Sequence, residues 1–392
     1  MKLNSKNEFD DSIELTKIAF MISGFEIGET KYYFIKWLYY FNVLWLYTDV
    51  FGEFSWLTEG MRLGKGLDEL SMVAPCTAMC LLGTAKILPF FLSKQTFQKA
   101  VQKLRSIHPD EDELENVDRK IVIESHKFLK LVITFFFNST MVVIIMFSCE
   151  PFTLMGYEYY NTGDVKLKLP FLVKYFFNTY ANITIWSFMY LHQIWSTVIV
   201  CVFLFAADTL FYAFCTYLRM HFRILGHQFK NVVSLSPEET RKNMRNCVKK
   251  HQELIELANL LEILYSKSTL FNIISSSVLL CLSGFNIVVV QKTGTVLKFA
   301  PFLVMSLTQV FLLCFFGDLL MSSSIQISDA VYSCRWYDAE PAIRRCVLII
   351  IIRSQKPCKV TASNFADLNL SAFTTILSRS WSCFALLKTM YG

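Results

Sequence analysis

At 392 residues, with 54% hydrophobic and only 18% charged side chains, the chain is too apolar for a soluble domain of this size. Several of its apolar runs reach the roughly 20 residues that cross a bilayer as a helix. Its net charge of +6 is sorted by loop rather than gathered in a patch, which signals membrane topology and argues against a nucleic-acid partner.

The opening stretch from Met1 to Lys17 mixes Lys2, Lys6 and Lys17 with Glu8, Asp10, Asp11 and Glu14. It has no apolar core followed by a small-residue cleavage site, so no secretory signal peptide is expected. Span one is predicted from about Tyr32 to Val50, with Trp37, Trp45 and several tyrosines at the depths where aromatic belts sit, and with Lys36 snorkelling toward the cytosol. A short glycine-dotted loop, Gly52 to Gly66, leads to span two, about Leu70 to Phe91, in which Pro75 and Pro89 are expected to kink the helix.

From Lys94 to Lys130 eight basic residues surround the acidic run Asp110 to Glu113, which reads as a helix start aided by Pro109 in a cytosolic loop. Span three covers about Leu131 to Phe147, and Cys149 to Leu169, with its Tyr157 to Tyr160 cluster, reads as an outer loop. Span four runs from about Tyr180 to Leu218 and continues past the bilayer. The densest basic stretch follows, between Arg219 and Lys267. Within it Ser236, Pro237 and Glu239 form a capping box. An apolar stripe of Val248, Leu254, Ile255, Ala258, Leu261 and Leu264 then carries one helix upward into span five, about Lys267 to Val290. Gln291 to Thr295 makes a tight outer turn, and span six is expected from about Lys298 to Leu320.

Basic residues thus concentrate before span one, between two and three, between four and five, and after six. The positive-inside rule then gives a cytosolic amino terminus, and seven spans put the carboxyl terminus outside. That orientation is opposite to a G-protein-coupled receptor, whose Asp-Arg-Tyr and Asn-Pro-x-x-Tyr patterns are also missing. No internal repeat of the transporter kind is visible. The fold class expected is an all-α membrane protein. It divides into a six-span bundle over 1–321, with cytosolic helix extensions at about 92–130 and 219–267, and a cytosolic anchor segment with a seventh span over 322–392.

No phosphate loop, nucleophile elbow or His/Glu metal pair occurs, so neither an enzyme nor a cofactor is expected. The twelve cysteines fall singly apart from Cys76 and Cys80, which suits small buried side chains rather than zinc. Asp49, Glu150, Asp208 and Asp318 lie near spans. Asp208 and Asp318 are placed toward cytosolic ends, where water or basic loops reach them. Of the two sequons, Asn182-Ile-Thr184 stands near the outer surface, whereas Asn138-Ser-Thr140 reads as buried.

The last fifty residues organise the rest. Cys346 to Ile352 is an apolar run, Arg353-Ser-Gln-Lys-Pro357 stops it, and a final helix runs from Asn369 to Tyr391. That helix carries Ser371, Thr374, Thr375, Ser378, Ser382 and Thr389 among bulky apolar residues. Such hydroxyls suit a helix beside a wet path, though they also serve close packing and can bond their own backbone. In Tyr332, Trp336-Tyr337, Arg353 to Pro357, Leu370, Phe373 and Ser380-Trp-Ser-Cys-Phe-Ala-Leu-Leu387 the chain resembles the insect odorant receptor family. Trp381 and Cys383 stand where that family typically has tyrosines.

The resemblance implies an odorant-binding subunit of a ligand-gated, non-selective cation channel. That channel would assemble with the odorant receptor co-receptor in a heteromeric tetramer in the plasma membrane of olfactory neurons. The co-receptor's long insertion before span five is absent, so a ligand-selecting tuning subunit is implied. Its ligand would be a small volatile hydrophobic molecule in the outer half of spans two to five. The expected lining is Met72, Cys76 and Met79, then Thr140, Ile144 and Phe147, then Phe188, Leu191 and Trp195, then Leu282 and Phe285. The family's constriction maps near Leu386, Leu387, Thr389 and Met390, with Lys388 turned from the axis. The nearest alternatives are a gustatory-type receptor channel, or a metabotropic or transporter-like protein with no pore of its own.

Overall fold

The computed structural model describes residues 11–25, 27, 33–107, 114–290 and 293–391. The expectations for Lys2, Lys6, Lys36, the acidic run at 110–113, Gln291 and the side chain of Met390 fall outside what is described.

The helices are α1 (Glu14–Ile22), α2 (Tyr33–Arg62), α3 (Leu67–Leu70), α4 (Ala74–Leu92), α5 (Lys94–Ser106), α6 (Asn116–Thr162), α7 (Ile183–Lys230), α8 (Pro237–Val290), α9 (Thr293–Tyr332), α10 (Pro341–Ser354) and α11 (Leu370–Tyr391). Among the described residues five of these are long and apolar enough to cross a membrane: α4, α6, α7, α8 and α9. A helix is the form in which an isolated segment can satisfy its own backbone groups in lipid. The helices α2 and α11, read from sequence as spans one and seven, fall outside that group of five.

The elements are longer than the sequence suggests. Helix α2 runs through Gly52 to Arg62, where a loop was expected, because Gly52 lets the segment after α6 press against it: Lys174 N donates to the Gly52 carbonyl at 3.1 Å. Helix α6 continues through the Tyr157 to Tyr160 cluster to Thr162 and ends on Gly163, whose φ of 76° is the left-handed cap that glycine adopts freely. Pro75 sits at the first turn of α4, where its missing N–H costs nothing, so only Pro89 lies inside that helix. Helix α8 begins at Pro237 as the capping pattern indicates. The polar bonding there comes from Thr240, whose Oγ1 accepts from Ser234 N at 3.0 Å and donates to the Ser236 carbonyl at 3.0 Å.

Helix α7 is the axis of the molecule, packing against α1, α2, α4, α6, α8 and α9. Its polar residues face inward and its partners are specific. Asp208 is 1% exposed and takes Lys86 Nζ from α4 at 2.6 Å and Gln309 Nε2 from α9 at 2.6 Å. Tyr265 of α8 donates to the Ala207 carbonyl at 2.9 Å. Asp208 is therefore not reached by water at a helix end, as the sequence suggested. It is the hub of a buried clasp whose cation, Lys86, lies within an otherwise apolar stretch. The chain runs antiparallel from helix to helix. We call the end bearing the α6–α7 connection upper, and the end bearing α5, α10 and the α7–α8 connection lower.

At the lower end Phe20 of α1, Phe90 of α4 and Phe97 of α5 pack ring against ring. Arg241 makes a two-pronged pair with Glu340 at 2.8–3.0 Å. The segment between α10 and α11 is stitched to the bundle. Glu262 of α8 accepts from Thr361 N at 2.7 Å, Ser266 Oγ from Ser363 N at 3.0 Å, and Ser324 Oγ of α9 from Cys358 N at 2.9 Å. Asn369 Oδ1 then caps α11 by accepting from Ala372 N at 2.8 Å.

Candidate ligand cavity

Near the upper end, five helices and one loop residue enclose a cavity of about 50 Å³, against the roughly 10–15 Å³ that one water requires. Asp49 and Glu53 come from α2, Cys76, Met79 and Cys80 from α4, Val143 and Phe147 from α6, Ser196, Thr197, Val200 and Cys201 from α7, and Phe302 and Met305 from α9. Phe171, from the segment between α6 and α7, completes the wall.

The wall is mostly apolar, with its polar groups tied down at one side. Asp49 accepts from Tyr175 Oη at 2.6 Å and from Ser196 Oγ, and His192 Nδ1 lies 3.2 Å from it. His192 Nε2 meets Thr48 Oγ1 at 3.0 Å, and its ring stacks on Trp45 at 4.7 Å. Gln193 Oε1 accepts from Phe171 N at 3.0 Å while its amide donates to Tyr175 Oη at 3.2 Å. Glu53 accepts from Thr77 at 2.7 Å. Burial, and then the Asp49 carboxylate, push the Tyr175 phenol well up, so it stays a donor. These bonds fold the segment between α6 and α7 down over the cavity. The rings of Phe147, Phe302 and Phe171 meet beneath it, with centroids 4.6 Å and 5.8 Å apart.

A second, larger space lies beside the first. It is a groove of about 700 Å³ between α6 and α9, lined by Phe135, Val142, Met146, Ala300, Pro301, Val304 and Thr308 among others, and it shares Val143 and Met305 with the cavity.

Of the residues expected at the ligand site, Cys76, Met79 and Phe147 line the cavity. Thr140 is buried in the wall of the groove, its hydroxyl bonded to the Phe136 carbonyl at 2.8 Å. Met72 and Ile144 are half-buried and stand off both spaces. Phe188, Leu191 and Trp195 line neither space: they are 62%, 64% and 39% exposed on the outside of α7. The apolar stripe of a membrane helix gains nothing by facing inward, since lipid is equally apolar, whereas its polar stripe has to find partners. The inward face of α7 is accordingly His192, Gln193, Ser196 and Val200. Leu282 and Phe285 belong to α8, which packs on α4 and α11 and gives no side chain to the cavity. Its place is taken by α2 and α9. Asn138, read as buried, is exposed on the flank of α6, and Asn182 is exposed at the start of α7. The carboxylates Asp49 and Glu53 together were the missed signal, legible as an i, i+4 acidic pair on one face of a helix.

On α11 the hydroxyl residues Ser371, Thr375, Ser378, Ser382 and Thr389 share one exposed face, while Phe373, Ile376, Ser380 and Phe384 turn toward the chain. Each of these hydroxyls except Ser371 and Ser378 is bonded to a carbonyl one turn back, as with Thr375 to Ser371 and Ser382 to Ser378. Leu386 lies with the exposed face, Leu387 is half-buried toward the packed side, and Lys388 and Arg379 are exposed on its flanks.

Long apolar helices around a polar-faced axis, with a largely apolar cavity at one end, are the architecture of a multi-pass membrane protein with space for a small molecule. Residues 66–380 match the family model described as 7tm odorant receptor, and the chain belongs to the insect odorant receptor family, whose members are receptors and not enzymes. It is similar to putative odorant receptor 92a of Drosophila melanogaster, 26% identical over 347 residues that cover 87% of this chain and 84% of that one. It is similar also to odorant receptor 67c of the same species, 25% identical with 90% and 86% covered. Its fold is that of the insect olfactory receptor OR5 from Machilis hrabei, solved in complex with eugenol. The TM-score is 0.80 at 16% identity, over 98% of this chain and 99% of that one. Asp49 and Glu53 precede the stretch that the family model matches.

Proposed function

We propose that this odorant receptor is the ligand-selecting subunit of an odorant-gated cation channel in the plasma membrane. In this reading it has seven spans, a cytosolic amino terminus, and a pore formed by α11 together with α11 of co-receptor subunits. The observation that carries the reading is the hydroxyl face of α11, which no other helix covers among the described residues. In a bilayer such a face calls for water or for other subunits. The direct step from Lys230 to Pro237 between α7 and α8, with no long insertion, supports a tuning subunit over the co-receptor.

The ligand occupies the cavity between α2, α4, α6, α7 and α9, held by dispersion against Met79, Phe147 and Phe302 and oriented by the polar side at Asp49 and Ser196. It opens the channel in so far as it binds the open state more tightly. The insect receptor of the same fold that was solved with eugenol supports a small volatile organic ligand.

The test is agonist-evoked current in cells expressing this chain with and without the co-receptor, across esters, alcohols, aldehydes and phenols including eugenol. Current only with both chains, persisting in excised patches without nucleotides, is the expected result. Current from this chain alone, or loss of current on excision, overturns the subunit assignment or the pore assignment respectively.

A further inference from the structure

We propose that odorant reaches the cavity sideways from the bilayer, through the groove between α6 and α9, with Val143 and Met305 as the gate. This rests on the reading of the cavity as the odorant site, and the experiment below separates the two.

Three observations converge. The groove opens on the outside of the bundle, where Phe135, Val142 and Val304 are 55%, 53% and 62% exposed. Val143 and Met305 are each buried, and each has one side on the groove and one on the cavity. A single layer of side chains therefore separates the two spaces. The direct route from water, by contrast, is held shut. Phe171 forms part of the cavity wall, and its segment is held by Tyr175 on Asp49, Gln193 on the Phe171 backbone, and Lys174 N on the Gly52 carbonyl.

The relative difficulty of the two routes follows from the chemistry of each barrier. Opening the upper end breaks several hydrogen bonds at once, one of them to a buried carboxylate, where such bonds are strongest. Opening the side needs Met305 to change rotamer beside a small Val143. Methionine, with three rotatable bonds and no polar group to satisfy, does that readily. The groove also asks little desolvation of its occupant, since the Ser139 and Thr140 hydroxyls are already bonded to the Phe135 and Phe136 carbonyls, both at 2.8 Å. A hydrophobic odorant concentrates in the bilayer before it meets the receptor, so the groove samples a far higher local concentration than the upper surface does.

A barrier on a path changes the rates in and out by the same factor and leaves the equilibrium untouched. Val142→Trp and Val304→Trp narrow the mouth of the groove without touching the cavity. With the co-receptor present and eugenol as the probe, or the strongest agonist of the panel where eugenol is silent, both variants are expected to slow current onset and washout together. The expected slowing is about tenfold, equivalent to ~1.4 kcal/mol on the barrier, with the half-maximal concentration unchanged. Val142→Ala, which opens the mouth and carries little risk to folding, is expected to speed both. Unchanged rates in all three variants, alongside faster rates in Tyr175→Phe, overturn the lateral route in favour of access from water. A shifted half-maximal concentration with unchanged rates overturns it in favour of a groove filled by a lipid acyl chain or a neighbouring subunit. Phe147→Leu, inside the cavity, is the control for the site itself. If it leaves the half-maximal concentration unmoved, the cavity assignment fails, whatever the rim variants do.

Discussion

Replacing Lys86 by methionine keeps the length of the side chain and removes its charge, which isolates the worth of the clasp at the centre of the bundle. In the native chain Asp208 has the Lys86 ammonium on one oxygen and the Gln309 amide on the other, both at 2.6 Å, with the two charged side chains 5% and 2% exposed. Lys86→Met leaves that carboxylate with one neutral donor and no counter-charge. Insertion scales put an unpaired charge at the centre of a span at about 2.5–3.5 kcal/mol, and stranding one partner of a buried pair costs about 3–5 kcal/mol. The two agree near ~3 kcal/mol, or roughly a hundredfold in the folded population. Lys86→Met combined with Asp208→Asn removes both charges and is expected to recover most of the loss, since a buried pair is seldom more stable than a neutral replacement. Thermal melting of detergent-solubilised protein, followed by size-exclusion chromatography, gives the full cycle of wild type, two single variants and the double. Single variants as stable as wild type, or a double variant worse than the sum of the singles, would refute the reasoning.

Phe147→Leu changes the shape of the cavity where three rings meet and is expected to weaken a good agonist about tenfold, read from dose–response curves. Tyr175→Phe removes one of the donors to Asp49 and is expected to destabilise the fold by about 1.5–3 kcal/mol. Faster hydrogen exchange over 164–182 than over α7 localises that loss. Arg241→Ala breaks a two-pronged but exposed pair, 61% and 37% accessible, so the melting temperature moves by less than about 1 kcal/mol implies. In the assembly proposed above, a charged thiosulfonate is expected to modify the exposed Cys383 while sparing Cys358. The latter thiol is buried between α9 and the chain before α11, and burial pushes its ionisation up. Mass spectrometry of the labelled sites decides it.

The sequence made the long helices legible because their apolar runs have no competing explanation. It also located the start of α8 from Pro237, and the junction at Arg353 to Pro357. Where it failed, one physical cause recurs: rules learned from water-soluble cores were carried into lipid. Phe188, Leu191 and Trp195 form the stripe that a soluble helix would bury, yet they face outward, and His192, Gln193 and Ser196 face in. Asp208 looked like a residue near a helix end because its partners, Lys86 and Gln309, lie more than a hundred residues away and only the fold brings them together. The extensions of α2 and α6 were missed because the glycine-dotted stretch after Gly52 and the Tyr157 to Tyr160 cluster read as loops, although a long helix already held by its neighbours tolerates a glycine and runs on through such polar stretches.

The stitching below α11 sets how that helix can move. Its lower end is fixed by Thr361 and Ser363 on α8, by the Asn369 cap, and by Leu368, whose backbone lies so close to Gly317 that no side chain fits there. Higher up, Phe384 rests against Gly284 without a polar bond to hold it. A rod bonded firmly at one end and held higher up only by apolar packing behaves as a reed. Its 22 residues make it about 33 Å long at 1.5 Å per residue, so a tilt of ~5° carries the free tip about 3 Å. Motion is then greatest around Leu386 and Thr389 and vanishes at Asn369. A substitution at the clamp changes the stiffness with which the tip returns, and one at the tip changes what it closes against. If α11 lines the pore as proposed, the two classes are separable in the noise and dwell times of single-channel records even where the mean current is the same.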